Sequence, residues 1–373
     1  MPNPSPEPKE VERREEFQPP PRSFAAATAV IAAVYTYFLV FAQFGFLHAL
    51  TANGIELSWL RPILGLMAAA GIGGGILTAR GYTEKRGLNL LRAGFIIAAL
   101  AAALAWVARS PLPFLAAGLL TGAGLGLVTV ALVALLRREI GGTRLGLCLG
   151  LGTGIAYALS NVPEFFAGAH SIQLLVGIVA AVAGLLASQA FVQQAPRQQT
   201  NARDYEPAGV RFWVAVFFVL VGFDSAAFFA IQHQPALQAA WPSGGRLYVN
   251  AGVHLAAAVL AGLALDRRWI TGTVATGAAL LVGASLRFTG GHASMVAAHL
   301  YSAGVSIYSV ALVFYPARRA QPGLAALLYA VAGWTGSALG IGLAQNLVPL
   351  PAWLPLAAGI AIAGLLAARA WRQ

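Results

Sequence analysis

One carboxylate stands apart in this chain. Of the 13 acidic residues, only Glu56, Glu164 and Asp224 lie outside the N-terminal tail and the basic connecting segments. Glu56 and Glu164 fall beside the ends of apolar runs, whereas Asp224 lies within one, flanked by the apolar runs 217–223 and 226–231. It follows Arg211 by thirteen residues, or about 20 Å of helix. In a hydrocarbon core about 30 Å thick, that places it some 10 Å below the far edge. No local cation offsets it, and desolvation penalises the charged form of such a group. An ionisable residue at that depth is a functional candidate by default. Two readings are open: a proton site in a coupled carrier, or a structural Asp hydrogen-bonded between helices.

The histidines add to this pattern. His48, His170, His233, His254, His292 and His299 all fall toward the same side of the chain's apolar runs as Asp224. His254 comes eight residues after Arg246, about 12 Å along a helix, and His299 seven after His292, about 10 Å. Asp224, His254 and His299 therefore share a depth. His292, Met295 and His299 recur at i, i+3 and i+7, one helical face. Imidazole, thioether and carboxylate together could relay protons or hold a soft or borderline metal ion. Each histidine taken singly also reads as a packed, hydrogen-bonded residue.

Positioning these groups requires elements that tolerate lipid. The chain has 373 residues, 58% hydrophobic and only 10% charged, with a net charge of +11. A soluble domain carries about 25% charged residues, so most of this surface must face something other than water. That excludes a soluble enzyme, a nucleic-acid binder and a disordered scaffold. Cys148 is the only cysteine, which rules out an internal disulfide and any Cys-cluster metal site. There is no Gly-x-Ser-x-Gly, His-Glu-x-x-His or P-loop pattern. Neither an enzyme nor an ATP-driven pump is expected, and no cofactor.

Twelve apolar stretches are long enough for spans of roughly 20 residues: 24–50, 59–79, 90–108, 112–136, 143–163, 169–192, 211–232, 246–265, 269–287, 293–316, 322–347 and 351–370. Period-two alternation is absent, so they read as helices. Of the 24 Lys and Arg, only Arg61, Arg109, Arg246 and Arg287 fall on the side opposite the N-terminus. By the positive-inside rule both termini are cytoplasmic and the membrane is the inner one. The positive charge is topogenic and calls for no nucleic-acid partner. Residues 1–23, rich in Pro, Glu and Arg, read as a disordered cytoplasmic tail. Residues 193–210 form a polar linker between bundles at 24–192 and 211–373. The expected architecture is all-α, twelve transmembrane helices in two six-helix pseudo-repeats, acting as a monomer.

Two matches support the repeat. The second span exits through Gly75, Ala79 and Arg80, and the eighth through Gly262, Asp266 and Arg267, both as G-x-x-x-(A/D)-R and 187 residues apart. The fifth span ends on Asn161 and the eleventh on Asn346, 185 residues apart. Gly150, Gly152 and Gly154 precede the first of these, and Gly333, Gly336, Gly340 and Gly342 the second.

This organisation resembles the major facilitator superfamily, whose signature after the second span is G-x-x-x-D-(R/K)-x-G followed by basic residues. The chain offers Gly75, Ala79, Arg80 and Gly81, then Lys85 and Arg86. The aspartate is absent from this first copy and present in the second as Asp266. The resemblance implies alternating access, in which two halves rock about a central site. It makes the loop residues a gate, with Asp266, Arg267 and Arg268 as a charge cluster holding it shut; a solvated topogenic loop is the other reading. It also implies a cavity lined by spans 1, 4, 7 and 10: Tyr35, Tyr37, Gln43 and His48; Asp224, Ser225 and Gln232; His299, Tyr301, Ser302, Ser306, Tyr308 and Ser309. Span 11 adds Tyr329, Trp334, Thr335, Gln345 and Asn346. Such groups suit a small neutral or cationic solute. Some family members carry copper, and their Met/His pairs are loosely resembled by His292, Met295 and His299. A non-transporting assembly factor or receptor on the same scaffold is the remaining alternative.

Overall fold

The computed structural model describes residues 21–191, 207–289, 294–347 and 351–371, and every regular element among them is helical. Eleven helices are long and apolar enough to cross a bilayer. They are α1 (Arg22–Ala52), α2 (Ser58–Gly81), α3 (Gly87–Val107), α4 (Pro111–Ile140), α6 (His170–Ala190), α7 (Gly209–His233), α8 (Arg246–Asp266), α9 (Ile270–Thr289), α10 (Met295–Arg319), α11 (Pro322–Gln345) and α12 (Trp353–Ala370). Between α4 and α6 lies α5 (Leu145–Ser160), apolar but only 16 residues long. The expected fifth span is thus shorter than its apolar stretch, because Pro163 opens a separate turn of helix, Pro163–Phe166. Pro111 starts α4 from its first position, where a missing N–H costs nothing. The proposed tail falls almost wholly, and the linker mostly, outside the described residues.

Apolar side chains cover the outside. Leu77, Val107, Leu260 and Ile360 are 65–73% exposed, which water would penalise and lipid does not. Without a hydrophobic driving force between helices, close backbone approach has to supply the packing. Glycines permit it. A Cβ on Gly122 or Gly126 would collide with carbonyls of Met67 and Gly71, so α2 lies directly on α4.

The same device joins α5 to α8. Gly146, Gly150 and Gly154, one per helical turn, face Gly262, Ala258 and Leu255, and side chains at the first two would strike the opposing carbonyls. Gly152 points the other way, against Ile31 and Thr28 of α1. The first six helices also meet the last six where α2 and α4 touch α11, and where α4 and α5 touch α10. Two π-helical stretches interrupt regular helix, Tyr37–Gly45 in α1 and Tyr329–Gly336 in α11.

Candidate functional site: a carboxylate and an amide chain converging on one helix

Asp224 and His254 each reach α10, the helix that carries His299, by a separate route. Asp224 of α7 is tied at both oxygens. Tyr301 donates to Oδ1 at 2.5 Å and Tyr308 donates to Oδ2 at 2.5 Å. Tyr301 also lies 3.1 Å from the main-chain carbonyl of Asp224. The two tyrosines are seven residues apart, two turns of one face, so α10 presents both phenols to one carboxylate. They are buried. Next to Asp224, Ser225 donates to Ser337 of α11 at 2.9 Å.

His254 is buried on α8, with Nδ1 2.7 Å from the Ser306 hydroxyl of α10. Its ring lies parallel to that of Tyr157 on α5, at 1° and 4.7 Å between centroids. The Tyr157 hydroxyl is 3.0 Å from that of Ser309, again on α10. Tyr35 of α1 packs its ring 6.3 Å from Tyr157 and reaches the Ser309 carbonyl at 3.4 Å.

His299 leads into a chain of amides. Its Nδ1 is 3.1 Å from Asn250 Oδ1, Asn250 Nδ2 donates to Asn161 Oδ1 at 2.8 Å, and Asn161 Nδ2 donates to the Tyr157 carbonyl at 2.9 Å. The Asn250 amide nitrogen faces Asn161, so its oxygen, which only accepts, faces His299. Nδ1 of His299 is therefore the donor in this contact.

Asp224, His254 and His299 are thus brought to one helix but not into one hydrogen-bonded relay. Gln43 lies half-buried in the π-helical stretch of α1 and makes no hydrogen bond to described residues. Asn346 directly follows α11, at the end of the helical stretch Ser337–Asn346. His292 lies outside the described residues, and Met295 begins α10. Among the described residues, no group of three His, Cys, Asp or Glu is placed to hold a metal ion.

Tyr157 and Asn250 were not singled out from the sequence. A signal existed: Tyr157 with Asn161, and Asn250 with His254, stand four residues apart on apolar helices, which puts each pair on one face.

The basic end departs from the expected charge cluster. Asp266 makes no ion pair with Arg267 or Arg268, both exposed. Its Oδ1 accepts the Gly146 N–H at 2.6 Å and its Oδ2 the Leu147 N–H at 2.8 Å. The first N–H groups of a helix lack partners within it, and the residue preceding α5, Arg144, offers no side-chain cap. Asp266 supplies that cap from α8. A carboxylate at the end of its own helix opposes the helix dipole, while at the start of α5 it complements one. Arg267 and Arg268 turn to solvent.

Arg137, in the last turn of α4, makes the converse contact, donating to the Arg318 carbonyl in the last turn of α10 at 2.6 Å. Glu84 pairs with Arg138 at 3.7 Å. Arg80, Lys85 and Arg86 are exposed, while Gly75 and Gly262 are buried in helix seams. Ala79 has no carboxylate to offer α11.

Three solved structures share this arrangement over nearly their whole length. The human organic anion transporter MFSD10 matches with a TM-score of 0.62 at 16% identity, over 92% of this chain and 100% of its own. The E. coli fucose:proton symporter FucP matches with 0.63 at 16%, over 94% and 98%. The nucleoside transporter NupG matches with 0.56 at 11%, over 93% and 98%. This is the major facilitator superfamily fold. No protein-family model and no curated protein sequence matches the chain. At these identities the facilitator fold is what is shared, and with eleven apolar spans it makes the chain a multi-pass membrane protein. In this chain α5–α8, α2–α11 and α4–α10 are seams between α1–α6 and α7–α12.

Proposed function

We propose that this protein is a secondary transporter that moves a small solute by alternating access, driven by protons taken up at Asp224. The observation that carries the reading is Asp224 itself. It is a carboxylate deep in an apolar helix, held by phenols and not by a cation, in a fold shared with a fucose:proton symporter. A group with no counter-charge can alternate between charged and neutral forms, as a proton carrier must.

The rest of the proposed architecture follows. Twelve helices form six-helix halves at 24–192 and 211–373, linked by 193–210, in the inner membrane of the cell as a monomer with both termini cytoplasmic. His254, His299, Tyr35, Asn161 and Tyr301 line the central path with Asp224; Gln43 and Asn346 complete it. The capped seam at Asp266 closes the cytoplasmic end.

The described helices carry no Lys or Arg more than about two turns from an end. An anion therefore finds no embedded counter-charge, and a neutral sugar or nucleoside fits better than an organic anion. The test uses the full chain in proteoliposomes loaded with a pH-sensitive dye, offered fucose, a nucleoside and an organic anion in turn. Solute-dependent acidification that Asp224→Asn abolishes is the expected result. Solute flux with no proton movement would remove the coupling, and no flux across a broad solute panel would remove the transporter.

A further inference from the structure

Asp224 is held asymmetrically. Tyr308 has one acceptor, Asp224 Oδ2. Tyr301 has two: Oδ1 at 2.5 Å and the main-chain carbonyl of the same residue at 3.1 Å. A carbonyl oxygen has a second lone pair beyond its helical hydrogen bond, so it can take the phenol's hydrogen. An ionised carboxylate only accepts, and satisfies both phenols at once. A protonated one must donate from one oxygen, and the phenol facing that oxygen has to turn its own hydrogen elsewhere. Only Tyr301 has somewhere to turn it.

We infer that the proton binds at Asp224 Oδ1, and that Tyr301 and Tyr308 are positioning residues with different duties. The step balances simply. A hydronium ion on the open side gives up a proton, its O–H bond breaking to leave water, and an Oδ1–H bond forms on the carboxylate. Tyr301 keeps its hydrogen, rotates it from Oδ1 to the Asp224 carbonyl, and accepts the new Oδ1–H on its phenol oxygen. Tyr308 donates to Oδ2 throughout. Tyr301 thus stabilises both forms of the carboxyl, and Tyr308 chiefly the charged one, where its bond is charge-assisted. Protonation weakens the α7–α10 tether at Tyr308 and reorganises it at Tyr301, which links proton uptake to the contact between those helices.

Among the described residues, no charged side chain contacts Asp224. The titratable side chains that touch Asp224 are Tyr301 and Tyr308, and Asp224 in turn acts electrostatically on Tyr157 of α5. On α11 the neighbour of this turn is Ser337, bonded to Ser225. The contact from α1 is Phe44 against Phe228. Arg369 of α12 reaches α7 only at its basic end, over Phe212 and Trp213.

The inference rests on Asp224 as the proton site, and its test needs no solute. Infrared difference spectra of the purified full chain in lipid are titrated with pH. The carboxyl C=O band is assigned to Asp224 by its loss in Asp224→Asn. Tyr308→Phe, which removes a donor to the charged form, is expected to move the half-point by about one pH unit in the sense favouring the protonated carboxyl. Tyr301→Phe removes a partner from both forms and is expected to move it by less than half as much. Both variants keep the ring, and circular dichroism with a single elution peak confirms folding. Equal shifts, or the larger shift in Tyr301→Phe, overturn the assignment. A band that never titrates overturns it as well, and leaves solute flux in proteoliposomes as a separate question for the transporter reading.

Discussion

Asp266 caps a helix that is not its own: its Oδ1 accepts the main-chain N–H of Gly146 at 2.6 Å, across the seam between α8 and α5. The carboxylate satisfies two N–H groups that α5 cannot satisfy itself and complements the positive end of that helix. Asp266→Ala should therefore cost about 1–3 kcal/mol. Asp266→Asn, which keeps one acceptor, should cost about half of that. Thermal unfolding of the detergent-solubilised protein, followed by circular dichroism, ranks the two. Equal melting temperatures in wild type and Asp266→Ala would remove the cap from the closure of this end.

The glycines of the same seam give a sharper contrast. Gly146 and Gly262 approach so closely that a side chain on either would strike the other's carbonyl, whereas Gly252 and Gly283 have nothing within 4 Å of an added Cβ. Gly262→Val should prevent α8 from lying on α5, and the protein should elute as aggregate in size-exclusion chromatography. Gly252→Ala and Gly283→Ala should elute as wild type, and be slightly more stable because alanine favours helix.

These contacts mark the limit of what the sequence discloses. Helix placement is legible because twenty apolar residues in a row have few alternatives, and Pro111 punctuates α4 wherever it packs. The position of Asp224 inside an apolar helix is also legible, since α7 runs over Gly209–His233. Which residues meet across helices is not. Tyr308 and Asp224 are 84 residues apart, and Asn250 and Asn161 are 89 apart; no periodicity relates them. Asp266 next to Arg267 and Arg268 reads as an ion cluster in one dimension. In three dimensions the start of α5 offers two N–H groups with no other partner, and the arginines have water.

The Asn161–Asn250 bond crosses the other end of the α5–α8 seam, and both side chains are buried. Hydrogen bonds between membrane helices contribute modestly, about 0.6 kcal/mol and up to roughly 2. A double-mutant cycle with Asn161→Leu and Asn250→Leu, read by thermal or denaturant unfolding, should return a coupling in that range. The double variant should lose less than the sum of the two singles, because each single already breaks the bond that the second change would remove. Additive losses would show that the two side chains do not act on each other.

Tyr157 of α5 and His254 of α8 meet across the α5–α8 seam, and their two interactions can be separated. Tyr157→Phe retains the parallel rings and loses the hydroxyl contact with Ser309. It should cost about 1 kcal/mol. His254→Ala removes the stacked ring and leaves the Ser306 hydroxyl without its partner. It should cost about 2 kcal/mol or more, with stacking and hydrogen bond lost together. His254→Phe restores the ring but not the nitrogen and should recover about half of the loss. Melting temperatures in one detergent order the three variants as Tyr157→Phe, then His254→Phe, then His254→Ala, from most to least stable. If His254→Phe matches wild type, the Ser306 bond contributes nothing and the stack alone holds this contact.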